Sequence, residues 1–194
     1  MMSKISLIFR PNSGAYAFFS SILIWGIGVG CFAAAMNNFL ADMYHMNSLE
    51  RGWLEFFREL PGLALVFILA LLHKTSDWKV MRIGTLISMA GAALLLIPAD
   101  KIFVTAFIMI WSMGEHLVMP VRNAIAMQVA KPDKAGQSLG YLTAVQNFGS
   151  VAGSVIVAAV FFAGFQWLKY DEKLLFNLLW GLIILLMLVS TVLT

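Results

Sequence analysis

Charge is what this 194-residue chain has least of: Asp, Glu, Lys and Arg make up 12% of it. A soluble domain carries about 25%, and half of that cannot wet the surface of a globule this size. The shortage excludes an ordinary water-soluble enzyme and a disordered chain alike. Cysteine is nearly missing, with Cys31 alone inside an apolar run, so there is no intrachain disulfide framework. There is no H-E-x-x-H metal motif and no nucleophile elbow with a well-placed base, since His45, His73 and His116 are scattered. Those gaps argue against an intramembrane hydrolase. The apolar runs also lack the period-two alternation of barrel strands. What is present is apolar, 61% of residues with a mean hydropathy of +0.87. These properties predict an integral, all-α membrane protein.

A bilayer core about 30 Å thick takes roughly 20 helical residues to cross. Six spans are predicted, at 15–37, 53–72, 83–98, 102–121, 138–163 and 174–194. The first run is too long for a cleaved signal peptide and five more follow it. With the N-terminus in the cytoplasm, Lys4, Arg10, Lys74, Lys79, Arg82, Lys131 and Lys134 lie inside. Arg51, Lys101, Lys169 and Lys173 lie outside, seven against four. That excess orients the chain with both ends inside, in a plasma membrane of bacterial inner-membrane type. The net charge of +3 is spread through these loops, so it implies a lipid bilayer as partner and no nucleic acid.

Charges within a span cost roughly 2.5–3.5 kcal/mol each at its centre on insertion scales. Glu55, Arg58 and Glu59 occur in the second span, Glu115 and Arg122 in the fourth, and none in the third or sixth. Glu55, Arg58, Glu59 and Gly62 keep to one helical face, as do Ser112, Glu115, Met119, Arg122 and Asn123. Arg58 has Glu55 and Glu59 within one turn and can pair locally. Arg122, near the inner end of its predicted span, has the choice of snorkelling to the cytoplasm. Glu115 lies about 20 Å from the outer end, near mid-membrane, with nothing nearby in sequence to neutralise it at that depth. It is the leading candidate for coupling or substrate contact, with His116 as a candidate proton relay. In the fifth span Gly140, Gly149 and Gly153 are candidates for close helix packing, the last two forming a G-x-x-x-G pair.

Trp25, Gly28 and Asn37 recur 86 residues later as Trp111, Gly114 and Asn123. A repeat of three spans flips orientation, which would make the chain an inverted 3+3 array. The block Trp111-Ser112-Met113-Gly114-Glu115 through Pro120, the loop Lys131-Pro132-Asp133-Lys134-Ala135-Gly136 and then Leu139-Gly140 carry a further likeness. Over essentially its whole length the chain resembles the N-terminal six-helix half of a major facilitator superfamily transporter. The fifth-span glycines resemble that family's antiporter signature, with Ser154 where the family has proline. Asp77 and Arg82 match the acidic and final basic positions of its cytoplasmic gating loop.

The resemblance implies an alternating-access secondary transporter of a small solute, not an enzyme, with neither cofactor nor metal. Its partners would be an unspecified small-molecule substrate and a C-terminal six-helix half in the same or another chain. Glu115 would couple a proton or cation. Asn37, Asn38, Trp111, Arg122 and Asn123 would line the cavity, with the charged group Glu55, Arg58 and Glu59 nearby. A non-transporting regulator or assembly module is the alternative. The last span reaches Thr194 without a basic anchor, which fits half a transporter ending at its midpoint.

Overall fold

The computed structural model describes residues 7–194; Lys4, counted above with the inward-facing basic residues, lies outside the described residues. The chain is all-helical, with α1 Ala15–Asn38, α2 Ser48–Leu71, α3 Asp77–Leu94, α4 Lys101–Val129, α5 Ala135–Ala163 and α6 Glu172–Leu193. Two of these run on into wider π-helical turns, Phe39–Met43 after α1 and Gly164–Leu168 after α5. With those turns, α1, α4, α5 and α6 are long and apolar enough to cross a membrane. α2 and α3 are not, because α2 carries Glu55, Arg58 and Glu59 and α3 carries Asp77, Lys79 and Arg82. The chain is therefore a helical membrane protein with four strongly apolar spans and two polar helices.

Local chemistry sets the helix starts. Asn47 and Glu50 form a reciprocal capping box at α2: the Glu50 amide donates to Asn47 Oδ1 at 3.0 Å, and the Asn47 amide donates to Glu50 Oε2 at 2.9 Å. The Asp100 carboxylate accepts from the amides of Ile102 and Phe103 at 2.9 and 3.0 Å and so starts α4. Gly14 precedes α1 with φ of 70°, a conformation that a side chain would strain.

The largest shifts from the predicted boundaries are at the start of the third helix and the end of the fourth; the second also starts earlier, at Ser48, and the third ends earlier, at Leu94. The third helix begins at Asp77 and not at residue 83, capped at Ser76, so Asp77 and Arg82 belong to a helix and not to a gating loop. Asp77 accepts a hydrogen bond from Gln128 Nε2, tying the start of α3 to the end of α4. The fourth helix continues to Val129, so Arg122 stands two turns inside it rather than at its end.

α1 packs against α5 and α6, α4 packs against α3, α2 and α5, and α3 packs against α6. The tightest of these contacts is backbone on backbone. A Cβ at Gly149 would lie 2.7 Å from the Leu23 carbonyl oxygen, one at Gly153 would strike Ile27 O, and one at Gly30 would strike Ser150 O. Gly26 and Gly30 of α1 thus mesh with Gly149 and Gly153 of α5, two small-residue ridges in mutual contact. Gly140 takes no part, since a Cβ there would meet nothing within 4 Å. Gly84, Gly91 and Gly114 do the same work between α3 and α4, while Gly28 sits against Met187 of α6.

Apolar side chains fill the remainder. Phe32 stacks on Trp111 with centroids 4.0 Å apart and planes 2° from parallel, and Trp180 and Phe39 extend the cluster toward α6. Buried serines link helices through backbone carbonyls: Ser88 Oγ donates to Trp111 O, Ser138 Oγ to Ala126 O and Ser190 Oγ to Ser21 O.

The α1–α4 likeness extends well beyond three identities. From Ile22 paired with Ile108 to Leu40 paired with Ala126, the two helices agree in burial at every position except Gly30/His116 and Asn38/Ala124. Near the chain's start, Phe9 forms an antiparallel bridge with Ala130, and Arg10 Nε donates to the Ala130 carbonyl at 2.7 Å. The approach to α1 and the exit from α4 therefore share one end of the bundle.

Candidate functional site on α2 and α4

α4 places its polar residues on two sides. Ser112 and His116, one turn apart, point to α2; Glu115, Met119 and Asn123 follow the uncovered side, on which Met119 and Asn123 are exposed. Pro120 brings no amide hydrogen, so the His116 carbonyl loses its helical donor beside this site.

A continuous network joins α2 to α4. Ser112 Oγ donates to the Arg58 carbonyl at 2.6 Å. His116 Nδ1 lies 2.9 Å from Ser112 O and 3.0 Å from Ser112 Oγ, and His116 Nε2 lies 3.3 Å from Glu59 Oε2. Arg58 reaches Glu55 at 2.8 Å and Glu59 at 3.0 Å. Donor inventory then assigns the protons. The one hydroxyl hydrogen of Ser112 goes to Arg58 O, so Nδ1 must carry a hydrogen toward Ser112. Nε2 is the ring nitrogen that faces the Glu59 carboxylate. His116 and Glu59 thus meet across the α2–α4 contact. Gly62 makes room for it, since a Cβ there would come within 2.8 Å of the imidazole.

Glu115 stays outside this network. It is half-buried, near the middle of α4, and forms no ion pair within 4 Å among the described residues. The cations that act on it are Arg58 across the α2–α4 contact and Arg122 on its own helix, with His116 beside it. The Trp111 indole N–H lies beside it without closing a hydrogen bond.

Arg122 does not snorkel. Its side chain is 9% exposed, Nε and Nη1 are buried without an acceptor, and the guanidinium carbon stands 5.1 Å from the centre of the Trp25 ring. That cation–π contact crosses from α4 to α1. Trp111 occupies the repeat-related position on α4 and is covered instead by Phe32 of α1.

The other sequence candidates scatter. Asn37 and Asn123 are exposed at repeat-related positions of α1 and α4. Asn38 turns away, lining a cavity of about 410 Å³ with Asp42, Ser154 and Glu172 at the α1, α5 and α6 ends. Between α2 and α4 a second cavity, of about 400 Å³, is walled by Trp53, Phe57, Ile102 and Met109, with Glu50 and Lys101 on its lining. Lys101 Nζ sits 2.6 Å from Glu50 Oε1 and holds that carboxyl below the usual carboxylate range. Sequence reasoning missed the Gly26/Gly30 ridge, although its spacing equals that of Gly149/Gly153. It also missed the Trp25–Arg122 contact, which no local pattern encodes. No family model matches the chain, and no curated protein matches it significantly.

Proposed function

We propose that the chain is the N-terminal six-helix half of a secondary transporter of major facilitator type, moving a small solute by alternating access. The observation that carries this reading is the open face of α4, where Glu115 remains without an ion-pair partner at mid-helix while Arg58 of α2 pairs with both Glu55 and Glu59. Ionisable groups at that depth mark substrate or ion pathways.

The inverted 3+3 array has support from helix neighbours. Exchanging α1 with α4, α2 with α5 and α3 with α6 turns the α1–α5 contact into α4–α2. The same exchange turns α1–α6 into α4–α3 and leaves α3–α6 unchanged, and all five contacts occur. The matched burial of α1 and α4 points the same way. The approach to α1 and the exit from α4 lie on one side, where Phe9 meets Ala130, as an even number of crossings from α1 through α4 requires. In this reading α2 crosses the bilayer in spite of its charges, because Arg58 pairs with Glu55 and Glu59 and His116 meets Glu59. The cytoplasmic orientation of the N-terminus and the bacterial inner membrane belong to the same proposal. So does a partner half against the uncovered α2 and α5 faces.

Glu115 is the coupling residue of the proposal, loading a proton or cation from one side and releasing it on the other. The test is Glu115→Gln in the complete protein reconstituted into vesicles. The substitution should abolish pH-driven solute flux while leaving membrane insertion intact. Undiminished, pH-independent flux would remove Glu115 from the coupling role.

A further inference from the structure

We propose that Arg122 and Trp25 form a carboxylate subsite, so that the solute recognised between α1 and α4 is a small organic monocarboxylate. This inference deepens the transport reading and rests on it only for the movement of the solute once bound.

Three buried polar atoms meet here without acceptors: Arg122 Nε, Arg122 Nη1 and the Trp25 indole Nε1. All are donors. Arg122 is 9% exposed and Trp25 is 1% exposed, so neither group is hydrated as a surface side chain would be. The Arg122 guanidinium stays protonated at any physiological pH. A buried guanidinium without an acceptor is costly, and an oxyanion relieves that cost most directly. The indole ring lies 5.1 Å from the guanidinium carbon, which leaves the guanidinium edges to receive a ligand. Nη2 is not enclosed as Nε and Nη1 are. Nη2 is thus the guanidinium nitrogen that an arriving oxyanion meets first, and either fork closes only when the side chains covering Nε or Nη1 give way. Carboxylate geometry matches either fork.

Charge selects the class. No carboxylate lies within ion-pair distance of Arg122 among the described residues, although Glu115 acts on it from the same helix. A monocarboxylate matches the single positive charge. A phosphate dianion would leave one negative charge unmatched beside Glu115, in surroundings that screen poorly. A cation would meet only donors. The burial of the guanidinium between two helices, away from the bundle ends, separates this subsite from a lipid-headgroup contact.

The experiment is ligand-induced stabilisation of the full-length protein in detergent, followed as the thermal unfolding midpoint. The probes are acetate, lactate, benzoate, inorganic phosphate and methylammonium, at constant ionic strength. Monocarboxylates should raise the midpoint, with phosphate and methylammonium weaker. Arg122→Gln should weaken carboxylate binding by at least about tenfold, the loss of roughly one charge-assisted contact. Arg122→Lys should fall between the two, because it keeps the charge and loses the fork. If Arg122→Gln does not fold, the lysine variant carries the comparison by itself. Phosphate or methylammonium outperforming every carboxylate would overturn the proposal, as would carboxylate shifts unchanged in the variants or no shift at all. Flux in vesicles separates the two readings. Carboxylate binding without flux defeats transport and keeps the subsite; flux of a cation indifferent to Arg122 variants defeats the subsite and keeps transport.

Discussion

The α1–α5 contact supports a quantitative comparison within one helix. Gly140 and Gly153 both lie in α5, and each gains the same helix propensity when changed to alanine, about 1 kcal/mol. Their surroundings differ completely. At Gly140 a new Cβ meets nothing within 4 Å; at Gly153 it strikes the Ile27 carbonyl oxygen and comes within 2.7 Å of the Cys31 amide nitrogen. Those are backbone atoms of α1, which cannot rotate away, so the helices must part. A gap of 0.5–1 Å forfeits about a quarter to a half of each dispersion contact across it. Overpacking of this kind typically costs about 1–3 kcal/mol. Gly140→Ala should therefore stabilise the protein by about 0.5–1 kcal/mol, while Gly153→Ala destabilises it by up to about 2 kcal/mol after the propensity gain. Equilibrium unfolding in mixed micelles, followed by tryptophan fluorescence, measures both. The difference between the two variants isolates packing from propensity. Equal effects, or a stabilised Gly153→Ala, would refute the meshed-glycine contact. A Gly30→Ala change should be non-additive with Gly153→Ala, because once one alanine has separated the helices the second meets less resistance.

Other measurements bear on the rest of the molecule. Arg10→Ala removes the donor to the Ala130 carbonyl at the end of α4, costing about 0.5–1.5 kcal/mol and raising hydrogen exchange at 129–131 in a deuterium-labelling experiment. Ser112→Ala takes a donor from the Arg58 carbonyl and an acceptor from His116; double-mutant cycles with His116→Ala should give a coupling of about 0.5–2 kcal/mol, and zero coupling would break the proposed network. The Glu50–Lys101 pair stabilises through a lowered carboxyl pKa, so its contribution is present above the ordinary carboxylate range and is lost as pH falls through the lowered value. Lys101→Met should accordingly lower stability at neutral pH, flatten the acid limb of the stability profile and leave stability below the lowered value nearly unchanged. Cys31 is fully buried with its thiol toward the Gly153 carbonyl at 3.4 Å, so a polar maleimide should label it only on unfolding.

Most of the helices were legible in the sequence because apolar length is a local property. Each of the six helices overlaps one of the six apolar runs. The errors came at polar ends: residues 77–82 read as a loop because their charges interrupt the run, yet a helix tolerates Asp77, Lys79 and Arg82 on exposed turns. The predicted end at residue 121 also fell short, because Arg122 and Asn123 look terminal only if charge and membrane depth are assumed to exclude one another. The site was half legible. Spacing put Ser112, Glu115, Met119, Arg122 and Asn123 on one stripe, which the packing divides, Ser112 facing α2, Arg122 buried against Trp25 and Asn123 exposed; the Arg58–Glu55 pair followed from i,i+3 proximity, realised at 2.8 Å.

Sequence by itself determined the solvent and the secondary structure, since the shortage of charge that excludes water is also what allows long helices in lipid. Tertiary structure decided which side chains became partners. Helical periodicity states a direction around one axis and nothing about what lies opposite. That His116 meets Glu59, that Gly153 meets Ile27 and that Arg122 lies over Trp25 depend on how helices far apart in sequence pack. Packing of that kind is set by the fit of whole surfaces, and no single residue records it.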